Sequence, residues 1–292
     1  MTDTIAHYTS PAGLRMSVSF TSNLVARAQQ IHQLSPLASA ALGRAMTGAL
    51  LLANDFKNKE GVSIRIAGDG PIGTIHADAY ESGKVRGYVE CPRVNLPLKG
   101  PHKLNVGAAV GHGMLYVTRY SLLRQPYQSA IEITSGEIAE DLTYYLTVSE
   151  QIPSAVSLGV LVNPDETVAA AGGVMIQALP DVEECALSEI ESNLRSLGPI
   201  SHAIDTMTRE DIISVLSQNL FFQRLSQNTV KWECTCAKER FERALLQLAD
   251  KDKEDLLKDS NGVEMNCHYC NTAYRLTAPE LRKLYGRKEN EP

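Results

Sequence analysis

Residues 62–89 read VSIRIAGDGPIGTIHADAYESGKVRGYV, and this stretch decides the fold of the larger part of the chain. Val62, Ile64 and Ile66 alternate with polar residues, and similar alternating runs follow at 75–79 and 85–89. A period of two is typical of half-buried strands. The dipeptides Asp69-Gly70 and Ser82-Gly83 supply turns between the runs, so the stretch predicts consecutive antiparallel hairpins.

The same stretch contains the pattern G-x-G-x-x-G from Gly68 to Gly73, which also occurs in dinucleotide-binding folds. In those folds a helix follows the pattern, and its N-terminus meets the pyrophosphate. Here residues 72–79 alternate like a strand, which favours a hairpin turn over a nucleotide site.

Outward from this segment, helical and strand patterns remain separated along the chain. Helices are predicted at 23–34, 37–56, 181–197 and 209–220, and further strands at 114–120, 129–134, 144–149, 157–162 and 168–177. Ser35-Pro36 provides a cap and a first-turn proline for the second helix. Strands that follow strands, with segregated helices, indicate an α+β class with an antiparallel sheet.

The patterns divide the chain into three parts: an N-terminal α+β domain (1–180), a helical linker (181–231) and a small C-terminal domain (232–292). In the linker, Ile212, Val215, Leu216 and Leu220 have the spacing of one helix face. We expect this face to dock on the N-terminal sheet.

The charge balance limits the classes of partner. The 292 residues carry 28 basic and 34 acidic side chains, a net charge of −6, which argues against a nucleic-acid backbone or an anionic membrane as the main partner. The apolar stretch 37–53 contains Arg44 and many small residues, which favours a close-packed core helix over a membrane span. Residues 1–4 show no secretory leader, so a cytoplasmic location is expected.

The last fifth of the chain contrasts with the rest in charge density and in cysteine content. Residues 231–292 hold 12 basic and 12 acidic side chains, and a piece of this size rarely folds without a metal, a disulfide or a partner. Four cysteines lie in it as Cys234-Thr235-Cys236 and Cys267-His268-Tyr269-Cys270. In a reducing cytosol such pairs indicate metal binding or redox chemistry. Cys91 and Cys185 lie apart and are interpreted as small packing residues.

Four thiolates around one Zn²⁺ form a closed tetrahedral site that leaves no position for a substrate water. We therefore expect one zinc per chain with a structural or regulatory role. The C-x-C spacing can also close into a strained local disulfide, and strained disulfides are the labile, regulatory ones. A site that alternates between zinc and disulfides is chemically feasible.

Two other classes of function remain open. A zinc-ribbon protein that binds nucleic acid would present a basic surface near the metal, whereas residues 231–292 are net neutral. A thiol oxidoreductase using Cys267 and Cys270 would place them in a thioredoxin-like βαβ setting, which the pattern does not supply. No catalytic motif is found, and the histidines, among them His76, His102 and His112, lack metal-ligand spacing. The chain is not expected to be an enzyme.

Several motifs together resemble the 33 kDa chaperonin family, the bacterial redox-regulated holdase chaperones, over essentially the whole chain. They are LGRA at 42–45, GDGPIG at 68–73, VRGYV at 85–89, LNVG at 104–107, YL at 145–146, SEQIPSA at 149–155, GGVMIQ at 172–177 and the four-cysteine signature. The resemblance implies zinc ligation by Cys234, Cys236, Cys267 and Cys270. It also implies that the oxidised pairs are Cys234–Cys236 and Cys267–Cys270.

The resemblance further implies how such a protein is regulated. Family members are inactive as chaperones when reduced and zinc-bound. Oxidants and unfolding conditions release the zinc, loosen the linker, promote a homodimer and expose a surface for client proteins. The expected partners are unfolded or oxidatively damaged proteins, with neither nucleic acid nor membrane among them.

Overall fold

The computed structural model describes residues 2–53, 61–101, 103–121 and 124–286, and it divides the chain into two compact units, Met1–Glu233 and Cys234–Pro292. In chain order, the first unit contains β1 (Thr4–Ser10), β2 (Leu14–Phe20), α1 (Ser22–His32), α2 (Pro36–Ala53), β3 (Gly61–Gly68), β4 (Thr74–Tyr80), β5 (Lys84–Val89), α3 (Val106–Val110), β6 (Gly113–Ser121), β7 (Arg124–Glu132), α4 (Ala139–Val148), β8 (Ser154–Val162), β9 (Val168–Ala178), α5 (Glu184–Leu197), α6 (Ile200–Thr206), α7 (Arg209–Leu216), β10 (Gln223–Thr229) and β11 (Lys231–Trp232). The second unit contains α8 (Lys238–Leu246), α9 (Asp250–Lys258), β12 (Val263–Asn266), β13 (Ala273–Leu276) and α10 (Ala278–Gly286).

The strands of the first unit form two sheets. One has five strands in the order β10-β1-β2-β9-β8, and the other has six in the order β11-β5-β4-β3-β6-β7. Neighbouring strands are antiparallel except for the short parallel pair of β11 and β5. The predicted α+β class and the hairpins β3–β4 and β4–β5 are confirmed.

Helix α2 lies at the centre of the first unit and contacts strands of both sheets. Ser35 caps it, since its Oγ accepts a hydrogen bond from the Ala38 amide at 3.2 Å, and Pro36 is its first residue, as predicted. Within the described residues this helix is long and apolar enough to cross a membrane, but 89% of its 18-residue window is buried inside the protein. A helix that is apolar all round is what a position between two sheets requires. Residues 54–56, at the end of the predicted helix, lie outside the described part of the chain.

The pattern from Gly68 to Gly73 is a turn between antiparallel strands, as the alternation of residues 72–79 predicts. A Cβ on Gly68 would lie 1.9 Å from the Val110 carbonyl oxygen, and one on Gly70 would lie 2.3 Å from the Ala109 carbonyl oxygen. The two glycines therefore allow close packing of this turn against the backbone of α3.

The strand predicted at 144–149 is wrong, because these residues lie in or at the end of helix α4. Two aromatic and three β-branched residues in TYYLTV (143–148) favour a strand locally. The buried carboxylate of Asp141 overrides that preference at the start of the helix, where it accepts hydrogen bonds from the amides of Thr134, Ser135 and Ile138. Leu142, Tyr145 and Leu146 then face the core at helical spacing.

The helices of the linker region pack on the five-stranded sheet within the first unit. Ile212 and Leu216 of α7 are fully buried, so docking of this face is confirmed for these two residues. Val215 is only half-buried, and Leu220 packs on the cluster from beyond the end of α7. The shared apolar cluster consists of residues from β2, β9, α5, α6 and α7, including Leu14, Met16, Val18, Phe20, Val174, Ile176, Ala186, Ile190, Ile200 and Ala203.

Candidate metal centre

The four clustered cysteines occupy two positions of the second unit. Cys234 and Cys236 precede helix α8, and Cys267 and Cys270 lie in the turn that joins β12 to β13. This turn is closed by the Cys267 amide, which donates to the Thr272 carbonyl at 3.0 Å, and by the Asn271 amide, which donates to the Cys267 carbonyl at 2.8 Å. The hairpin therefore fixes both thiols of the C-x-x-C pair on one side of the turn.

The fold brings all four sulfur atoms to one point, within 4.8 Å of one another. Cys234 Sγ lies 3.7 Å from Cys267 Sγ, and Cys236 Sγ lies 3.3 Å from Cys270 Sγ. Tetrahedral zinc with bonds of about 2.3 Å would place its sulfur ligands about 3.8 Å apart. The four cysteines could therefore hold one metal ion, and the all-sulfur donor set is compatible with zinc. It is the one such group of His, Cys, Asp or Glu side chains in the described residues.

The thiols differ in their electrostatic surroundings. Burial and the neighbouring thiols raise the pKa of Cys236 to about 12, and burial likewise raises the pKa of Cys267. Burial would also raise the pKa of Cys270, but hydrogen bonds from the side chain and backbone of Thr272 outweigh it and lower the pKa to about 7. A metal binds thiolates, so uptake at neutral pH releases protons and the affinity rises with pH.

Sequence reasoning did not find two side chains that contact the cluster. The Tyr274 hydroxyl lies 3.2 Å from Cys236 Sγ, and the hydrogen bond between them raises the pKa of Tyr274 to about 12. Its ring packs against Phe241 of α8 with the centroids 4.7 Å apart. Thr272 Oγ1 lies 3.2 Å from Cys270 Sγ. Both residues follow the C-x-x-C pair within four positions, which is the signal that could have drawn attention to them.

The remaining two cysteines belong to the first unit. Cys91 and Cys185 are exposed, so their interpretation as packing residues is wrong. Cys91 lies in an exposed segment just after the end of β5. Cys185 lies on the exposed face of α5. His76 stacks on Tyr88 with ring centroids 4.7 Å apart, and His102 lies outside the described residues.

The small second unit has little apolar interior besides the cysteines. Leu245, Leu276, Leu281 and Leu284 are its buried core. Thr277 and Glu280 cap the start of the last helix, since Glu280 accepts hydrogen bonds from the amide and the hydroxyl of Thr277, both at 2.8 Å. These bonds lower the pKa of Glu280 to about 2.

Fold and site together define a class of protein: an α+β body that precedes a small unit with a four-cysteine centre able to hold a metal. Comparison with known proteins supplies the family. The family model described as Hsp33 protein matches residues 3–277. The 33 kDa chaperonin of Symbiobacterium thermophilum is 44% identical over 95% of both chains, and that of Bacillus subtilis is 42% identical over 93% of this chain and 94% of its own.

A solved structure agrees over the full length. The crystal structure of the 33 kDa chaperonin (heat shock protein 33 homolog) from Thermotoga maritima superposes with a TM-score of 0.91 at 36% identity and covers 100% of both chains. The chain belongs to the Hsp33 family of 33 kDa chaperonins, as the motifs indicate. Membership supports a chaperone function and implies binding of unfolded client proteins. Chaperonins are not enzymes, and these relatives are bacterial proteins.

Proposed function

We propose that this chain is a cytoplasmic, redox-regulated holdase that is inactive when reduced and zinc-bound. The observation that carries the proposal is the convergence of four thiols within 4.8 Å in a unit with only four buried leucines in its described core. Cys234, Cys236, Cys267 and Cys270 are the proposed ligands of one Zn²⁺. The proposed working parts are the chaperone domain 1–180, the linker 181–231 and the redox switch 232–292.

The energetics of the centre explain why oxidation would act as a switch. Zinc in a structural site contributes about 10–16 kcal/mol at neutral pH, and here it also closes the chain between residues 236 and 267. Disulfides Cys234–Cys236 and Cys267–Cys270 would close loops of only a few residues and contribute about 1–2 kcal/mol each. Oxidation with release of zinc therefore removes most of the stabilisation of a unit with so small a core.

Unfolding of the second unit would reach the chaperone surface through the linker. Residues 181–231 cover Leu14, Met16, Val18 and Phe20 of β2 with the buried side chains of α5, α6 and α7. Undocking of these helices would expose that apolar face to unfolded or oxidatively damaged clients. Exposed apolar surface also favours the homodimer that we propose for the active state. We propose no role in binding nucleic acid or membranes.

The setting of the C-x-x-C pair supports a switch over a thiol oxidoreductase. Cys267 and Cys270 lie in the turn of a two-stranded hairpin, whereas the redox motif of a thioredoxin-like enzyme opens a helix after a strand. Cys236 and Cys270 are also engaged by Tyr274 and Thr272. Absence of insulin reduction with turnover would agree with this proposal.

One experiment tests the redox proposal directly. Zinc content and protection of a thermally unfolding client, measured by light scattering, are followed on the same sample before and after peroxide at raised temperature. We expect reduced protein to hold about one zinc per chain and to protect poorly. Oxidised protein should lose the zinc and protect strongly. Equal protection in both states would show a chaperone without a redox switch.

A further inference from the structure

Strand β10 is held to the edge of the five-stranded sheet with little burial of its own side chains. All seven residues, Gln223–Thr229, are exposed, and the sequence QRLSQNT has no apolar alternation. Its partner β1 is mostly buried and belongs to both apolar clusters of the first unit. The pairing therefore depends mainly on backbone hydrogen bonds, which are independent of sequence.

The pairing is also irregular. His7 opposes Ser226 and Tyr8 opposes Arg224, so Leu225 is an extra, unpaired residue, and its side chain is 62% exposed. A bulge of this kind disrupts the ladder locally and weakens the attachment of the bulged strand.

The strand leaves unfilled space beside it. A cavity of about 450 Å³ lies on one face of β1 and β2. Its apolar lining includes Ala6, Tyr8, Val18 and Phe20, and α7 contributes Ile213 together with the charged Arg209 and Glu210. The β10 side chains at this face are the polar Arg224 and Gln227, which oppose Tyr8 and Ala6. A strand with apolar side chains at those two places would bury more apolar surface than β10 does.

We propose that the edge of β1 is a docking site for extended segments of unfolded polypeptide, which take the place of β10 as the outer strand. An unfolded client offers free backbone amides and carbonyls, and strand addition binds them without a defined sequence. Segments with large apolar residues at alternate positions would be favoured, because one face of the added strand lies beside Ala6 and Tyr8 of β1 and Val18 and Phe20 of β2. In this arrangement the polar strand β10 pairs with the edge of β1, and so blocks it, as long as the linker is folded. This inference rests on the proposed function, in which the linker 181–231 loosens.

The backbone register of β10 supplies a matched pair of variants. The Val230 amide, just beyond β10, donates to the Asp3 carbonyl at 3.0 Å. Since alternate amides of a strand point to the same side, the amide of Asn228, which opposes Ile5, also points to β1, and that of Gln227 points away. Asn228→Pro therefore removes a bond to β1, and Gln227→Pro is the control, because it introduces a proline one residue away without removing such a bond.

The test measures binding of a fluorescent ten-residue peptide, with Phe or Val alternating with Thr, to the full reduced and metal-loaded protein. We expect Asn228→Pro to bind it about tenfold more tightly than Gln227→Pro or the unchanged chain, the factor expected for one backbone hydrogen bond. The same peptide N-methylated on its four central amides should lose this binding. A peptide of sequence QRLSQNT should bind about tenfold more weakly than the alternating one.

Hydrogen exchange on oxidised, unchanged protein is the second measurement, and it does not depend on folding of the proline variant. The unmodified peptide should protect the amides of β1, and the N-methylated peptide should not. Equal binding or equal protection by the two peptides would overturn the proposal, since side-chain contact alone would then suffice. Protection of β1 by dimerisation without peptide would overturn it in favour of a second copy of the chain.

The two proposals fail in different ways. If oxidised protein protects clients but N-methylation has no effect, clients bind elsewhere and only the edge inference fails. If Asn228→Pro binds the peptide but oxidation never activates protection, the β1 edge is a docking site and the redox switch fails.

Discussion

At the scale of single residues, Cys267 is the thiol on which the metal centre depends most. Its side chain is 7% exposed, and the amides of Tyr269 and Cys270 donate to its sulfur, so it lies deepest in the turn. Serine is a poor zinc ligand, and loss of one thiolate of four leaves an open, weak site. We expect Cys267→Ser to lose most of its zinc on dialysis. Metal analysis after gel filtration checks this, with Cys91→Ser and Cys185→Ser as controls that keep about one zinc per chain.

The four thiols also make a prediction about oxidised protein. In the structure Cys234 Sγ lies 3.7 Å from Cys267 Sγ and Cys236 Sγ lies 3.3 Å from Cys270 Sγ, as expected around one tetrahedral centre. Once zinc leaves, the partners nearest in sequence stay close and require no long loop closure. Digestion without reduction should therefore yield Cys234–Cys236 and Cys267–Cys270 peptides by mass spectrometry. Predominant pairing of Cys236 with Cys270 would mean that the unit stays folded during oxidation.

His7 of β1 makes the stability of the first unit depend on pH. Burial, with a smaller contribution from Arg15, lowers its pKa to about 4, against 6.5 in an unfolded chain, and its Nδ1 lies 2.8 Å from Ser17 Oγ. The unfolded state therefore binds the proton more tightly, so the stability conferred by neutral His7 is complete above pH 6.5 and declines as the pH falls toward 4. The full effect is at most about 3 kcal/mol. His7→Gln should show a smaller fall of the urea midpoint between pH 7 and pH 5, and an equal fall would contradict this role.

At the scale of helices and strands, the sequence predicts those elements whose side chains carry a periodic signal. Strands β3, β4 and β5 alternate clearly, and the sequence predicts them; it also predicts β8 and β9 from their runs of apolar residues. Strand β2 alternates too, with Leu14, Met16, Val18 and Phe20 buried, so its signal was available but unused. Strand β10 has no such signal, because its pairing depends on backbone bonds to a strand more than 200 residues earlier. A strand is wrongly predicted where helix α4 lies, because Asp141 stabilises the start of the helix partly through hydrogen bonds from Thr134, which lies outside the helix.

The candidate site was predictable for a different reason. The spacing of the cysteines identifies the four thiols without knowledge of the fold, because paired cysteines at short spacing are typical of metal sites. The contacts of Tyr274 and Thr272 depend on the hairpin that β12 and β13 form. These strands have four residues each, and so short a strand gives no clear alternating pattern from which the hairpin could be predicted.

The linker helix α7 is the element through which we propose that zinc loss acts. Leu216 is fully buried against β2 and β9, and its carbonyl accepts a hydrogen bond from the buried amide of Asn193 in α5 at 3.1 Å. Leu216→Ala removes about 2–5 kcal/mol of packing, and Leu216→Asp buries a charge as well. Either variant should undock residues 181–230 and suppress client aggregation even when reduced and metal-loaded.

Val215→Ala is the matched control for this prediction, because Val215 is the neighbour of Leu216 in the same helix and is only half-buried. Hydrogen exchange should show early opening of residues 181–230 in the Leu216 variants and not in the control. A Leu216 variant that stays inert until oxidised, or that unfolds throughout the first unit, would show that the linker is not the gate.

At the scale of the whole molecule, the two units differ in what stabilises them. The first unit has two extensive apolar clusters around two sheets, and the described part of the second has one cluster built on four buried leucines. Small domains with so little core depend on metals or disulfides for their fold. Removal of the metal should therefore unfold the second unit and spare the six-stranded sheet of the first.

Chelation of the reduced protein tests this difference. With a strong zinc chelator, amides of residues 234–286 should lose protection from hydrogen exchange, because the unit loses the ion that joins its two cysteine pairs. Amides of β3, β4 and β6 in the six-stranded sheet should keep their protection, since no metal ligand lies in the first unit's described residues. Excess zinc added with the chelator is the control and should leave both units protected. If the second unit stays protected without metal, its leucine core suffices, and oxidation would have to act by forming the disulfides themselves.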